Sequence, residues 1–318
     1  MRARVIHQRD GLQTMIHIHK VLFPTDFSDT SSAALGHALM LAERFHAHLI
    51  MLHAAGSNEN LPSMNFPEVD PATDEIEAVL EEQLAQIIGA QPSQPLHIER
   101  VIHQNNNPVQ EICAFADAND IDLIIMGTHG RTGLSHWISG SVAEEVVRGA
   151  NCPVMTVRAC EQCAAVTPYF DILVPVDFSP YSQKALRYAV TLAQLFEAKL
   201  HLLHVLDQPI HPAHYGLGED LLLRLNPEVS RRSHQEMERL VSPAGSSKVK
   251  WQTHVCDGRA YSEIVRFVAA QECDLVVMGT HGLSGLEHFL LGGTTEKVMR
   301  HASCPVLAVK LKERDFVT

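Results

Sequence analysis

The sequence predicts an α/β protein made of two copies of one domain, each a parallel sheet with helices on both faces. Three observations carry this prediction. First, residues 20–54 align without gaps on residues 171–205, and residues 122–158 align on 274–310, with about half the positions identical in each block. A period of about 150 residues is too long for a solenoid and fits a whole domain. Second, short apolar runs alternate with amphipathic stretches in both copies, the pattern of strand–helix–strand units with crossovers. Third, 46% apolar residues in a chain of 318 are enough to bury two cores. The copies are placed at 15–159 and 168–312, joined by a linker at 159–168 whose sequence, ACEQCAAVTP, has no usable apolar period.

The elements of the first copy follow in order. Residues 21–25 form a β-type run, and 28–45 then place Ala34, Leu35, Ala38, Leu41, Ala42 and Phe45 on one helical face. The next strand is 48–53. Residues 73–88 carry a second helical stripe through Ile76, Val79, Leu80, Leu84, Ile87 and Ile88. A strand at 96–103, a helix at 109–118, a strand at 123–126, a helix at 142–148 and a strand at 154–157 complete the series. The second copy repeats it over residues 172–309.

In such a sheet ligands bind beyond the carboxyl ends of the strands, where the strand order reverses. Two loops with chemical character fall there in each copy. The first follows strand one, Pro24-Thr25-Asp26-Phe27-Ser28 and Pro175-Val176-Asp177-Phe178-Ser179. Its aspartate can accept hydrogen bonds from a base amine or a ribose hydroxyl, or it can cap the following helix, as Ser28 and Ser179 can. The second loop follows strand four, Gly127-Thr-His-Gly130, nine residues, then Gly140-Ser141 at a helix start. Glycines admit close backbone approach, and a helix N-terminus favours an anion. Ser141-Val-Ala-Glu144 also reads as a capping box.

These motifs resemble those of the universal stress protein family. Gly127-x2-Gly130-x9-Gly140-Ser141 is similar to its ATP-binding signature, Pro24-Thr25-Asp26 to its first-strand motif, and Asn151-Cys-Pro-Val154 to its last-strand motif. The resemblance covers nearly the whole chain, twice. It implies two Rossmann-like, adenine nucleotide alpha hydrolase-like domains, each a five-stranded parallel sheet with helices on both faces. It implies ATP or ADP, with or without magnesium, between the loops after strands one and four. Carried over, Asp26 and the Pro24–Thr25 backbone hold the nucleoside, and Leu52 or His53 meets the adenine edge through backbone groups. Met126 and Gly127 flank the ribose and α-phosphate; Gly130, Gly140, Ser141 and Val142 cradle the phosphates. Arg131 is an extra cation in that loop. It further implies that the last strands, 154–158 and 306–310, pair antiparallel within the chain, as in the family's dimer. A further homodimer is compatible with this.

The second copy offers Pro175, Val176, Asp177, Met278, Gly279, Gly282, Gly292, Gly293 and Thr294 at matching positions. It departs from the pattern where Gly293 replaces the serine and Leu283 replaces Arg131, and no Lys or Arg lies between Gly279 and Glu296. Thr294 recovers the hydroxyl if the helix starts one residue later. The first site is therefore expected to bind more tightly. Neither loop holds a Walker lysine, so nucleotide-dependent conformation or partner choice in a stress response is expected, with at most slow ATP hydrolysis. The alternative is a nucleotide-free pseudo-dimeric scaffold.

Other signals are weaker. His17, His19, His46 and His48 are paired two apart without accompanying zinc-type ligands, so no metal site is expected. His129 and His281 lie in the glycine loops, where either a phosphate contact or a loop-stabilising hydrogen bond fits. Cys160-x2-Cys163 lacks a second ligand pair, and Cys152 and Cys304 read as small core residues. Residues 207–225, with His211 and His214, depart most from the repeat and read as a cover for the second site or a partner surface. A net charge of -12 argues against nucleic acid as a partner, and no apolar run approaches the roughly 20 residues of a membrane span. Residues 1–10 are charged and show no leader, and seven cysteines in this length point to a reducing cytoplasm.

Overall fold

The computed structural model describes residues 18–55, 96–104, 107–128, 141–158, 168–206, 219–241, 249–282 and 291–317. In the first copy these form β1 (Lys20–Pro24), α1 (Asp29–Phe45), β2 (His48–Ala55), β3 (Ile98–Gln104), α2 (Pro108–Ala118), β4 (Leu123–Gly127), α3 (Ser141–Gly149) and β5 (Val154–Val157). The second copy supplies β6 (Asp171–Pro175), α4 (Pro180–Phe196), β7 (Lys199–Leu206), α5 (Glu219–Val241), β8 (Lys250–Asp257), α6 (Ala260–Ala270), β9 (Leu275–Gly279), α7 (Gly293–His301) and β10 (Val306–Val309). The expected helix at 73–88 and the linker at 159–167 lie outside the described residues.

Each copy is a doubly wound α/β unit with five parallel strands. Their order is β3-β2-β1-β4-β5 in the first and β10-β9-β6-β7-β8 in the second, and the two join into one ten-stranded sheet. The join is an antiparallel pair, β5 with β10, in which Leu307 faces Met155 and Val306 faces Thr156. All other neighbours are parallel.

Alternation along each strand explains the two cores. Val21 and Phe23 point to one side with α1, α4 and α5; Leu22 points to the other, with α2, α3, α6 and α7. Central strands buried on both faces read as unbroken apolar runs, which is why the runs were visible in sequence. Helix starts are chemically marked: Ser28, Ser179 and Asn107 each accept from the backbone N–H three residues on. The left-handed residues His46 and Glu197 close α1 and α4. Among the described residues, no helix is long and apolar enough to cross a membrane.

Candidate functional site

The chain runs from β1 outward to β2 and β3, then returns to β4 on the other side of β1. Loops leaving β1 and β4 therefore diverge to opposite faces, and a crevice opens at their carboxyl ends. Register places Leu22 beside Ile124, which sets Pro24 level with Met126. The same break recurs between β6 and β9.

The first loop is rigid by construction. Asp26 Oδ1 accepts from Ser28 N at 3.1 Å and from Ser28 Oγ at 2.7 Å, and Ser28 Oγ accepts from Ser31 N at 3.2 Å. The serine caps α1 and the aspartate fixes the serine. Copy two repeats it: Asp177 Oδ1 accepts from Ser179 N at 3.0 Å and Ser179 Oγ at 2.6 Å. Phe27 and Phe178 take left-handed backbone angles, φ 59° and 65°, between the aspartate and the cap. In copy one Thr25 Oγ1 also bonds Ser31 Oγ at 2.7 Å, a brace that buried Val176 cannot make.

His53 has a part that the sequence did not reveal. Its Nδ1 lies 2.8 Å from Thr25 O and its ring lies 4.7 Å from that of Phe27. A carbonyl only accepts, so Nδ1 carries the proton and the ring clamps the first loop. His204 does the same to Val176 O at 2.6 Å, beside Phe178. Of the residues expected to meet adenine through backbone, Leu52 has its carbonyl committed to Thr25 N at 2.9 Å. No spacing rule flags a strand histidine as a loop clamp; the signal available is that the aligned repeat carries His204 at the same place.

The second loop is described in part. Met126 and Met278 are buried, 5% and 4% exposed, with side chains in the core, so only their backbone borders the crevice. Gly127 and Gly279 are glycine for packing reasons. A Cβ would stand 3.0 Å from Thr30 backbone in the first and 2.6 Å from Tyr181 Cβ in the second. Gly282 lies so close to the first loop that a Cβ would be 2.4 Å from Asp177 Oδ2. Gly292 donates its N–H to Thr280 O at 2.8 Å, whereas a Cβ on Gly293 would meet nothing within 4 Å. His281 bonds Thr280 Oγ1 at 3.0 Å and packs on Tyr181, a loop-stabilising arrangement.

One expectation is corrected. Helix α7 opens at Gly293, with Gly292 as its cap residue, so the later start that would bring Thr294 to the cap is not seen. Thr295, buried behind it, instead donates to Gly279 O at 2.8 Å and ties the helix to the strand end. In copy one Ser141 opens α3 and Val142 is half-buried against the core. His129, Gly130, Arg131 and Gly140 lie outside the described residues, as do His17, Cys160, Cys163, His211 and His214. Among the described residues, no group of three or more His, Cys, Asp or Glu could hold a metal ion. Cys152 is buried and its thiol is pushed up to about 12, as suits a core residue.

A carboxylate at one rim and the amides of a helix start at the other suit a ligand with a hydroxyl or amine at one end and an anion at the other. That division fits a nucleotide.

Comparison with known proteins agrees with the architecture. The profile of the universal stress protein family matches residues 17–158 and again 168–310. A universal stress protein of Methanocaldococcus jannaschii is 34% identical over 148 residues, 46% of this chain and 85% of that protein. The universal stress protein YxiE of Bacillus subtilis is 31% identical over 144 residues, 44% of this chain and 97% of that protein. Among solved structures, a universal stress protein from Archaeoglobus fulgidus superposes with a TM-score of 0.61 at 22% identity. It covers 92% of this chain and 96% of its own, a likeness of fold.

Proposed function

We propose that this chain, which belongs to the universal stress protein family, binds ATP or ADP in its first copy and acts through nucleotide-dependent conformation or partner choice. The observation that carries this is the convergence of the two strand-end loops, seen where Gly282 sits directly against the Asp177 carboxylate. Copy one carries the matching residues, Asp26 and Gly130, at the same places in the repeat. Asp26 and the Pro24–Thr25 backbone then hold the nucleoside side. Gly127, Gly130, Gly140, Ser141 and Val142 receive the phosphates at the start of α3, with Arg131 as the added cation. Magnesium, when it accompanies ATP, is held chiefly by phosphate oxygens and water. A stress-response role in the cytoplasm belongs to the same proposal.

Copy two favours a second reading for its own site. There Gly293 opens α7 and brings no hydroxyl, and Leu283 stands where copy one has Arg131. Copy two therefore binds weakly or serves as scaffold.

The test is calorimetric titration of the full chain with ATP, with mass spectrometry of any ligand released from the purified protein. One tight site, lost in Gly140→Val, is expected. No adenine nucleotide released and no binding at millimolar ATP would overturn the proposal. Turnover above about 1 per second would replace it with a hydrolase.

A further inference from the structure

Helix α3, whose first turn the proposed phosphate site uses, is held at both ends by side chains of the other copy. In its first turn, Glu144 is buried at 8% exposure and receives a two-pronged pair from Arg300 of α7: Nε to Oε1 at 2.7 Å and Nη2 to Oε2 at 3.1 Å. A guanidinium fork on a carboxylate fixes direction as well as distance. Past its last turn, Lys310 Nζ donates to Arg148 O at 2.9 Å and to Ala150 O. A cation on the last carbonyls of a helix satisfies groups that otherwise lack partners, and it favours the dipole. The next residue is held too, since Arg314 N donates to Asn151 O at 2.6 Å.

The arrangement is one-sided. Arg148 occupies the position in copy one that Arg300 occupies in copy two, yet it is exposed. Glu296, the counterpart of Glu144, pairs with Arg300 of its own helix at 2.7 Å. Thus Arg300 joins both acidic first turns, α3 and α7, and copy two braces α3 without a matching brace in return among the described residues.

We infer that copy two is the positioning module for α3, with Arg300 setting the helix start and Lys310 its end, so that the departed second copy serves the first site. Arg300 and Lys310 are positioning residues: they act through α3 and touch no ligand. The consequence for nucleotide affinity rests on the function proposed above, whereas the brace itself does not.

Two readouts on the full chain separate them. Hydrogen exchange reports the amides of α3 directly, and titration compares ATP with adenosine, which has no phosphate to place. Arg300→Gln should speed exchange in α3 and weaken ATP about tenfold, the scale of a lost charge-assisted bond, while adenosine stays within about twofold. Lys310→Gln should speed exchange at the helix end. Arg148→Gln, the counterpart position, should change neither. Unaltered α3 exchange in Arg300→Gln overturns the inference, as does equal weakening of adenosine and ATP. Faster α3 exchange in a protein whose wild type binds no ATP supports the brace and overturns the nucleotide reading.

Discussion

Glu313 is a carboxylate whose side chain is 0% exposed, with Lys184 Nζ 3.4 Å away. Burial outweighs the Lys184 and Lys310 ammonium groups and pushes its pKa up to about 7. A raised carboxylate means that the folded state keeps a proton which the unfolded chain releases above about pH 4.5. Its contribution is therefore full below that pH and is lost as pH rises through about 7. His37 has the opposite sign. Buried beside Tyr169, with Nδ1 3.2 Å from the hydroxyl, it is lowered by burial to about 4, so its contribution is present above 6.5 and lost as pH falls through 4. Urea midpoints measured across this range should show Glu313→Gln flattening the decline on the neutral side. His37→Gln should flatten the acid side, where one proton is worth about 1.4 kcal/mol per pH unit. Variant curves parallel to wild type would refute either assignment. Two glycines give a second prediction. Gly282→Ala drives a Cβ into Asp177 and should cost about 1–3 kcal/mol, whereas Gly293→Ser enters open space and should stay within about 0.5 kcal/mol. Equal losses in thermal denaturation would contradict this. On the function proposed above, Gly293→Ser also strengthens the second site.

Strands and helices were the most legible level, and particular residues show why. Val21, Leu22 and Phe23 are all fully buried because the sheet is covered on both faces, so β1 announced itself as an apolar run. Helix α1 was legible from the spacing of Ala34, Leu35, Ala38, Leu41 and Ala42, all fully buried, and from Ser28 as its cap. Site elements were legible in type but not in reason. Gly127 and Gly279 looked like phosphate-loop glycines, yet the first and second are forced by Thr30 and Tyr181 of the helices packed against them. Thr295 and His53 were not singled out for the bonds they make, to Gly279 O and Thr25 O. Such bonds depend on which carbonyl the fold brings near, and no local pattern encodes that. Glu144 shows the same limit: spacing names a local use, and the fold adds a partner from the other copy, Arg300.

At the scale of the whole molecule, the β5–β10 seam turns two half-sheets into one and removes two open edges. Residues beyond β10 then strap the halves together. Arg314 reaches Asp120 Oδ1 of copy one at 2.6 Å, Asp315 pairs with Lys184 and accepts from the Tyr188 hydroxyl at 2.7 Å, and Phe316 packs edge-on against the Tyr188 ring. Phe316 and Val317 are buried, so deleting residues 311–318 should cost about 3–6 kcal/mol, at about 1.5–3 per buried apolar side chain. A denaturation midpoint unchanged by that truncation would show the strap to be passive. The sequence by itself determined the copy number, the parallel α/β architecture and the addresses of the strand-end loops. Each of these follows from periodicity, glycine spacing or repetition, which are local in the chain. Only the tertiary structure decided how Asp26 and Ser28 share the first loop, how His53 clamps it, and that copy two braces α3. Those depend on groups that are far apart along the chain: Glu144 and Arg300 are separated by 156 positions. Their meeting is a property of the packed sheet and its pseudo-symmetric seam.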